Sequence, residues 1–442
     1  MFVGITNTPR DYAWGATHAI ADLLGRTPSG GPEAELWLGA HAGSSAVIEE
    51  PALVGGAATL AEWIAAAPEA ALGADWMKRV ADAAGSDAAV APERDSARLT
   101  PRLPFLLKIL AAGRPLSLQA HPTSTQARIG FDLENKAGIA VDAGDRNYRD
   151  PFHKPELIFA LSDNFEALCG FRPLAEVHGI IAELRLLDLA TENPQGATVD
   201  SLESHLAEGL RETVDWLLRD GRGDDTGEVK WLVERVVALA EHANFLAGGG
   251  AAIGYARELA TVRALAAEYP GDPGIVLALL LNRVTLNRGE VLYLPAGNIH
   301  AYLSGFGVEL MAASDNVLRG GLTRKHIDIE ELLAVLDFTT GPAPYLAPIE
   351  QAPGVWRYRP GVPDFELVHI QADAAAASAT PVPMRQIALT GPAIAICTAG
   401  GFLVAGSTSS GPLKRGQAVY VTPDEGTLTF AGTGEVFVAT VG

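Results

Sequence analysis

Between Leu116 and His121 apolar and polar residues alternate strictly: Leu116, Leu118 and Ala120 fall on one side, Ser117, Gln119 and His121 on the other. A period of two predicts a strand with one buried face and one face carrying polar groups. The alternation returns near residue 290. Residues 290–294 read as a strand and Pro295-Ala-Gly297-Asn as a turn, after which Ile299, Ala301 and Leu303 alternate with His300, Tyr302 and Ser304. Two more apolar runs, 157–161 and 165–171, predict strands. From Pro173 to about Glu268 the period becomes helical, with amphipathic helices predicted over 174–187, 199–218, 228–245 and 253–269. Helical spacing also marks the Ala-rich stretch 57–84. Residues 85–100 read as a loop, and the Asp-, Gly- and Asn-rich stretch 123–148 as a surface loop or a lid over the site. Past Gly341 the chain is rich in Pro, Gly, Thr and Val, which predicts strands only.

The polar faces of these strands carry candidate chemistry. Gln119 and His121 would line up on one strand, and His300 and Tyr302 on another. His153-Lys154-Pro155-Glu156 lies between them in sequence. Gln119, His121, Glu156 and His300 together offer an amide oxygen, two imidazoles and a carboxylate, a set that suits Zn²⁺ with one position left open. Ten histidines occur. His18, His178, His205, His242 and His369 have no partner at ligand spacing and are assigned structural roles.

The Gly-x5-Pro-x-Gly-x2-His spacing of Gly289 to His300 resembles the second motif of the cupins, small jelly-roll barrels. Gly113-x5-Gln119-x-His121 resembles the first motif, with Gln in place of its first His and Glu156 taking the role of its missing Glu. This predicts a mainly β chain with a helical insertion. Residues 1–172 and 271–340 would form two parts of a catalytic jelly-roll barrel, with 173–270 inserted as helices and 341–442 as a second jelly roll. Leu413-Lys-Arg-Gly416 to Pro423 echoes Asn287 to Pro295 but ends at Asp424-Glu-Gly426, without a His. The second roll is therefore expected to hold no metal.

Charge and cysteine content narrow the partners. At 442 residues and 48% hydrophobic content the chain can bury large cores. A net charge of −20 disfavours nucleic acid and anionic membranes. No apolar run reaches membrane-spanning length and no secretory signal is seen at the start. The two cysteines lie far apart, which predicts a cytoplasmic protein without disulfides, a monomer or weak oligomer. Within this acidic chain Arg319 to His326 is basic, and Lys108, Arg114 and Lys154 lie beside the metal motifs. A small phosphorylated substrate is the expected partner.

Longer stretches sharpen the picture. Trp14-Gly15, Leu36-Trp37, Gln119-Ala-His121, Tyr148-Arg-Asp-Pro-Phe-His153-Lys154-Pro155-Glu156 and the run from His300 to Lys325 resemble the class I mannose-6-phosphate isomerases. The resemblance spans most of the chain. It implies one zinc per chain, bound by Gln119, His121, Glu156 and His300, with Arg319 in the active site and aldose–ketose isomerisation through a cis-enediol. Phe152, Gly320 and Arg324 depart from the family pattern, which bears on substrate preference rather than on the reaction class. A proton must move between two carbons, and Lys154 and Glu309 both qualify as base. Arg319 suits developing negative charge. His153 or Asp315 would assist ring opening, Ser117, Lys108 and Lys325 are candidates for the phosphate, and Tyr302 for the substrate wall. A metal-dependent oxygenase and a non-catalytic sugar-phosphate binder are the competing readings.

Overall fold

The computed structural model describes residues 1–86, 100–221, 227–372 and 384–442. Most of the loop expected over 85–100 thus lies outside the described residues. Two antiparallel sheets, of nine and ten strands, organise the rest. The spine of the nine-stranded sheet is the long strand His300–Ala312. Its second half pairs with Phe105–Ala112 and Glu156–Ala160, and its first half with Leu118–Ala120 and Phe165–Phe171. The strand changes partners through a register shift between Tyr302 and Ser304, followed by Gly305 at φ +137°. A Cβ on Gly305 would meet the Phe165 ring at 2.4 Å, so only glycine permits this bend.

The bend folds the sheet into two facing layers, and side-chain alternation sorts residues as the pattern predicts. Leu118, Ala120, Leu168, Ile299, Ala301 and Leu303 face outward into a core shared with the helices. Leu107, Ile109, Leu157, Phe159, Val308 and Leu310 face the other way, into a core shared with the ten-stranded sheet. Between the layers lies a smaller apolar core of Leu110, Ile158, Phe165, Ala167, Cys169, Val284 and Tyr302. It closes one side of the space between the layers, and the metal-site side chains occupy the other. Leu116 departs from its expected side and packs against this inner core, because it precedes the strand proper.

The helical stretch forms Leu174–Leu189, Gly196–Glu208, Leu210–Asp220, Glu228–Gly248 and Ala256–Glu268. The single helix expected over 199–218 is two, broken at Gly209, whose φ of +147° no helix accommodates. The stretch expected as loop or lid contains the helix Ser124–Lys136, started by a capping box between Thr123 and Gln126. The expectation of a mainly β chain is also corrected. Helix makes up 32% and strand 30%, so the chain is mixed, and among the described residues the sheets stay open rather than closing into a barrel. The N-terminal strand Phe2–Thr6 pairs with Ala418–Val421 and so belongs to the ten-stranded sheet. There Val3 and Ile5 bury against Ile394 and Tyr420. Cys169 and Cys397 are buried and unpaired, and burial pushes the Cys169 thiol up to about 12. Among the described residues no helix is long and apolar enough to cross a membrane.

Candidate metal centre

Three strands bring the candidate ligands together. Gln119 sits between His300 on one neighbouring strand and Arg319 on the other, each directly opposite it. Register partners project to the same face, so the three side chains form one row. His121 follows two residues after Gln119. Glu156 begins the strand opposite Leu294 and Met311, in the facing layer. The Pro295–Asn298 turn fixes the remaining geometry: Gly297 takes φ +79° and donates its N–H to the His121 carbonyl at 2.8 Å. A Cβ there would meet the Val335 carbonyl at 3.0 Å. The turn that carries His300 is thereby tied to the strand end that carries His121.

His121, Glu156 and His300 are 1–2% exposed, and their donor atoms all lie within 4.8 Å of one another. His121 Nδ1 lies 2.7 Å from the Asn316 carbonyl and His300 Nδ1 2.9 Å from the Asn298 carbonyl. A carbonyl only accepts, so each Nδ1 carries the proton and each Nε2 presents a lone pair. Those Nε2 atoms face the two Glu156 oxygens at 3.3 and 3.2 Å, and neither makes a hydrogen bond. Lone pairs this close in a dry site repel unless a cation lies between them. The separations match the edge of a tetrahedron with bonds of about 2.0 Å, close to 3.3 Å. The residues therefore fit a zinc-sized ion.

A buried charge layer lies behind these ligands. Lys154 Nζ is 3.1 Å from Glu156 Oε1. Lys108 stands directly opposite Glu309, with Nζ 2.9 Å from Glu309 and 3.5 Å from Glu35. Burial disfavours the Lys108 ammonium, but the Glu309, Glu35 and Glu156 charges outweigh it and hold the proton on. Burial, with Glu156 and Glu35 nearby, raises Glu309 despite Lys108. Burial also acts on Glu156, yet Lys154 and His121 keep it well below the carboxylate range. Three carboxylates against two ammonium groups leave one negative charge beside the ligand pocket, which a dication would more than balance. Trp37 Nε1 holds Glu35 Oε2 at 2.9 Å. The Tyr302 hydroxyl is buried without a hydrogen-bond partner, and burial first, then Glu309 and Glu156, keeps it protonated.

The other expected residues separate. Lys108, a candidate for the phosphate, is ion-paired within the Glu309–Glu35 layer. His153 lies outside the ligand group, because alternation turns Lys154 and Glu156 inward. Its Nε2 meets Asp364 at 2.7 Å at the junction with the ten-stranded sheet, in a cleft of about 530 Å³ lined also by Arg102, Phe152 and Trp76. Asp315 is half-exposed and has His41, Lys154 and Arg149 around it. Ser117 is half-buried just before the Gln119 strand. Arg319 and Lys325 are joined by a third cation, Arg149. Burial first and Arg149 next lower Arg319, while burial, Arg319 and Arg149 lower Lys325. Among the described residues none of the three has an acidic partner within 4 Å.

Known proteins resemble this chain over most of its length. The family model for the catalytic domain of type I phosphomannose isomerases matches residues 2–174. The mannose-6-phosphate isomerase of Escherichia coli K12 is 35% identical over 98% of this chain and 97% of its own. The chain belongs to the mannose-6-phosphate isomerase family. Mannose-6-phosphate isomerase 1 of Arabidopsis thaliana is 30% identical over 89% of this chain and 81% of its own. A crystal structure of mannose 6-phosphate isomerase bound with zinc and yttrium superposes with TM-score 0.77 at 32% identity, covering 100% of this chain and 99% of that one.

Two residues of this family member escaped the sequence reading. Arg149 sits inside a quoted motif, but nothing in its spacing shows that it meets Arg319 and Lys325. Asn316 is fully buried. Its amide accepts from the Arg149 and Asp150 N–H groups at 2.7 and 3.2 Å and donates to the Asp150 and Phe152 carbonyls at 2.7 and 2.8 Å. Its own carbonyl holds His121, so one side chain joins the cation segment to a candidate ligand.

Burial, then Lys154, pushes His121 down to about 4, and Glu156 offsets only part of this. In metal-free protein the unfolded chain binds a proton near the unperturbed value of about 6.5 that the folded chain refuses. Stability is unaffected above that value and falls as pH drops from about 6.5 to 4, by about 3 kcal/mol from this group. Urea unfolding of chelated protein between pH 7.5 and 4.5 is expected to show the fall. A flat profile would mean that His121 is solvated.

Proposed function

We propose that this chain interconverts mannose 6-phosphate and fructose 6-phosphate with one zinc ion held by Gln119, His121, Glu156 and His300. The observation that carries the reading is the pair of locked imidazoles aiming lone pairs at Glu156, beside three cations that have no acid within 4 Å among the described residues. Zinc bound there supplies a Lewis acid for the oxygens on C1 and C2. The chain's own groups do the rest. Arg319, in the row with Gln119 and His300, stabilises the charge that develops on the way to a cis-enediol. Arg149, Arg319 and Lys325 grip the phosphate dianion, with Ser117 as a hydrogen-bonding neighbour. Lys154 and Glu309 remain the two groups for proton transfer: Lys154 touches a ligand oxygen, and Glu309 is a carboxyl that burial raises above its ordinary value. Asp315, at the open side, is assigned to ring opening. His153, turned to Asp364, is assigned to holding the Lys154 segment in place, and Tyr302 to the wall.

In the same reading, the two facing layers that lie within 1–172 and 271–340 are a cupin-type jelly roll, with 173–270 a helical insertion. Residues 341–442 are a metal-free roll completed by the N-terminal strand. Two buried free thiols are consistent with a cytoplasmic enzyme.

The test is a coupled assay for fructose 6-phosphate formed from mannose 6-phosphate, with and without chelator. Turnover that chelator stops and zinc restores is expected, and kcat/KM for mannose without phosphate should be far lower. Equal values for the two sugars would contradict the phosphate assignment.

A further inference from the structure

Asp315 is not held by the ligand motifs that surround it. Its N–H donates to Asp150 at 2.7 Å, which fixes the backbone. Its side chain meets His41, from the loop after the strand Glu35–Leu38, with His41 Nε2 3.3 Å from Asp315 Oδ1. His41 is 8% exposed, and its ring packs edge-on to Trp37 at 4.9 Å between centroids. Trp37 in turn belongs to the Glu35–Lys108 layer, so the imidazole stands on the buried charge network.

The tautomer of His41 follows from one hydrogen bond. The Gly43 N–H donates to His41 Nδ1 at 3.0 Å. That nitrogen must accept, so the proton sits on Nε2, and the ring stays neutral while the bond lasts. A Cβ on residue 43 would lie 3.3 Å from Nδ1, so glycine allows the amide its close approach. The neutral Nε2–H faces a carboxylate that burial would raise but that His41, Lys154 and Arg149 together lower, so Asp315 is ionised. Among the described residues no donor is recorded on its Oδ2. That oxygen belongs to a half-exposed side chain near Lys154 and the Arg149 cation.

We propose that His41 is a positioning residue of this site: its Nε2–H holds one oxygen of Asp315 so that the other meets the sugar's anomeric hydroxyl. This rests on the isomerase reading above. In the step itself the O1 proton passes to Asp315 Oδ2 and the C1–O5 bond breaks with its electron pair going to O5. C1 becomes an aldehyde carbon, and O5 takes a proton from water. The Asp315 carboxylic acid then gives its proton to the hydroxide left by that water, and the balance closes. The neutral imidazole takes no proton in the step.

The test uses the full-length, zinc-loaded protein with His41→Leu, which removes the donor, and His41→Gln, which returns an N–H at similar reach. Asp315→Asn is made alone and in the Leu background. The Leu variant is expected to lose about tenfold in kcat, as for one hydrogen bond to a charged group. Its KM and zinc content should be little changed, and Gln should recover most of the loss. Asp315→Asn should cost less in the Leu background than in the parent, because both changes act on one group. Parental kcat in the Leu variant, a Gln variant no better than Leu, or losses that multiply would each overturn the proposal. A parent with no isomerase activity would instead remove the reading on which it rests.

Discussion

Removing the metal is expected to abolish turnover altogether, and His121→Ala or His300→Ala to reproduce that loss. Each imidazole has its Nδ1 proton committed to a backbone carbonyl. Its only remaining function is the Nε2 lone pair, and alanine deletes it. The facing Glu156 oxygens would then lie buried opposite a cavity, with Lys154 as their main neighbour. Metal removal should also lower Tm, since an ion that binds only the folded chain contributes about 4 kcal/mol at a thousandfold excess over Kd. Elemental analysis before and after chelation is the check, alongside activity and a thermal melt. One zinc per chain is expected in active protein and almost none in either alanine variant. Active protein without a transition metal would refute the centre as drawn.

The strands that carry the ligands were legible because their chemistry is local. A period of two put Gln119 and His121 on one face and His300 and Tyr302 on another, and the cores on either side of the sheet follow that sorting. Gly297 could be read as a turn residue because its positive φ is a local demand. The helical stretch was legible for the same reason, apart from Gly209, where one residue divides a continuous apolar pattern.

Less visible was whatever depends on distant pairing. No local signal places Phe2–Thr6 beside Ala418–Val421, because a pairing between opposite ends of the chain depends on which strand backbone the fold leaves free. Lys108 looked like a phosphate ligand by its nearness in sequence to the metal motif. Its register partner is Glu309, about two hundred residues away, and only the fold shows that ion pair. His153 adjoins Lys154 in sequence yet turns to the opposite side, where Asp364 takes its nitrogen. Arg149 and His41 came to light only through the groups they meet. Residue types could be read from the sequence, whereas their charges and directions depended on partners.

Arg319→Ala is expected to lower kcat by a hundredfold or so, comparable to deleting one oxyanion donor, with zinc content unchanged. The guanidinium stands in the row with Gln119 and His300, so it can reach charge developing beside the metal. It is also one of three cations, and Arg149 and Lys325 stay behind to hold the phosphate. The variant should therefore lose more in kcat than in KM. Arg149→Ala should show the reverse, a raised KM with a smaller change in kcat, since the role proposed for that cation is to hold the dianion. Arg319→Lys sharpens the comparison: it keeps the charge but gives up the planar fork, and should recover only part of the rate. Steady-state kinetics on all three variants, with zinc measured in each, decide between the roles. A rise in KM alone for Arg319→Ala would make Arg319 a phosphate ligand. Near-parental constants in both Arg319 variants would place the transition-state charge elsewhere, with Lys154 the next group to test.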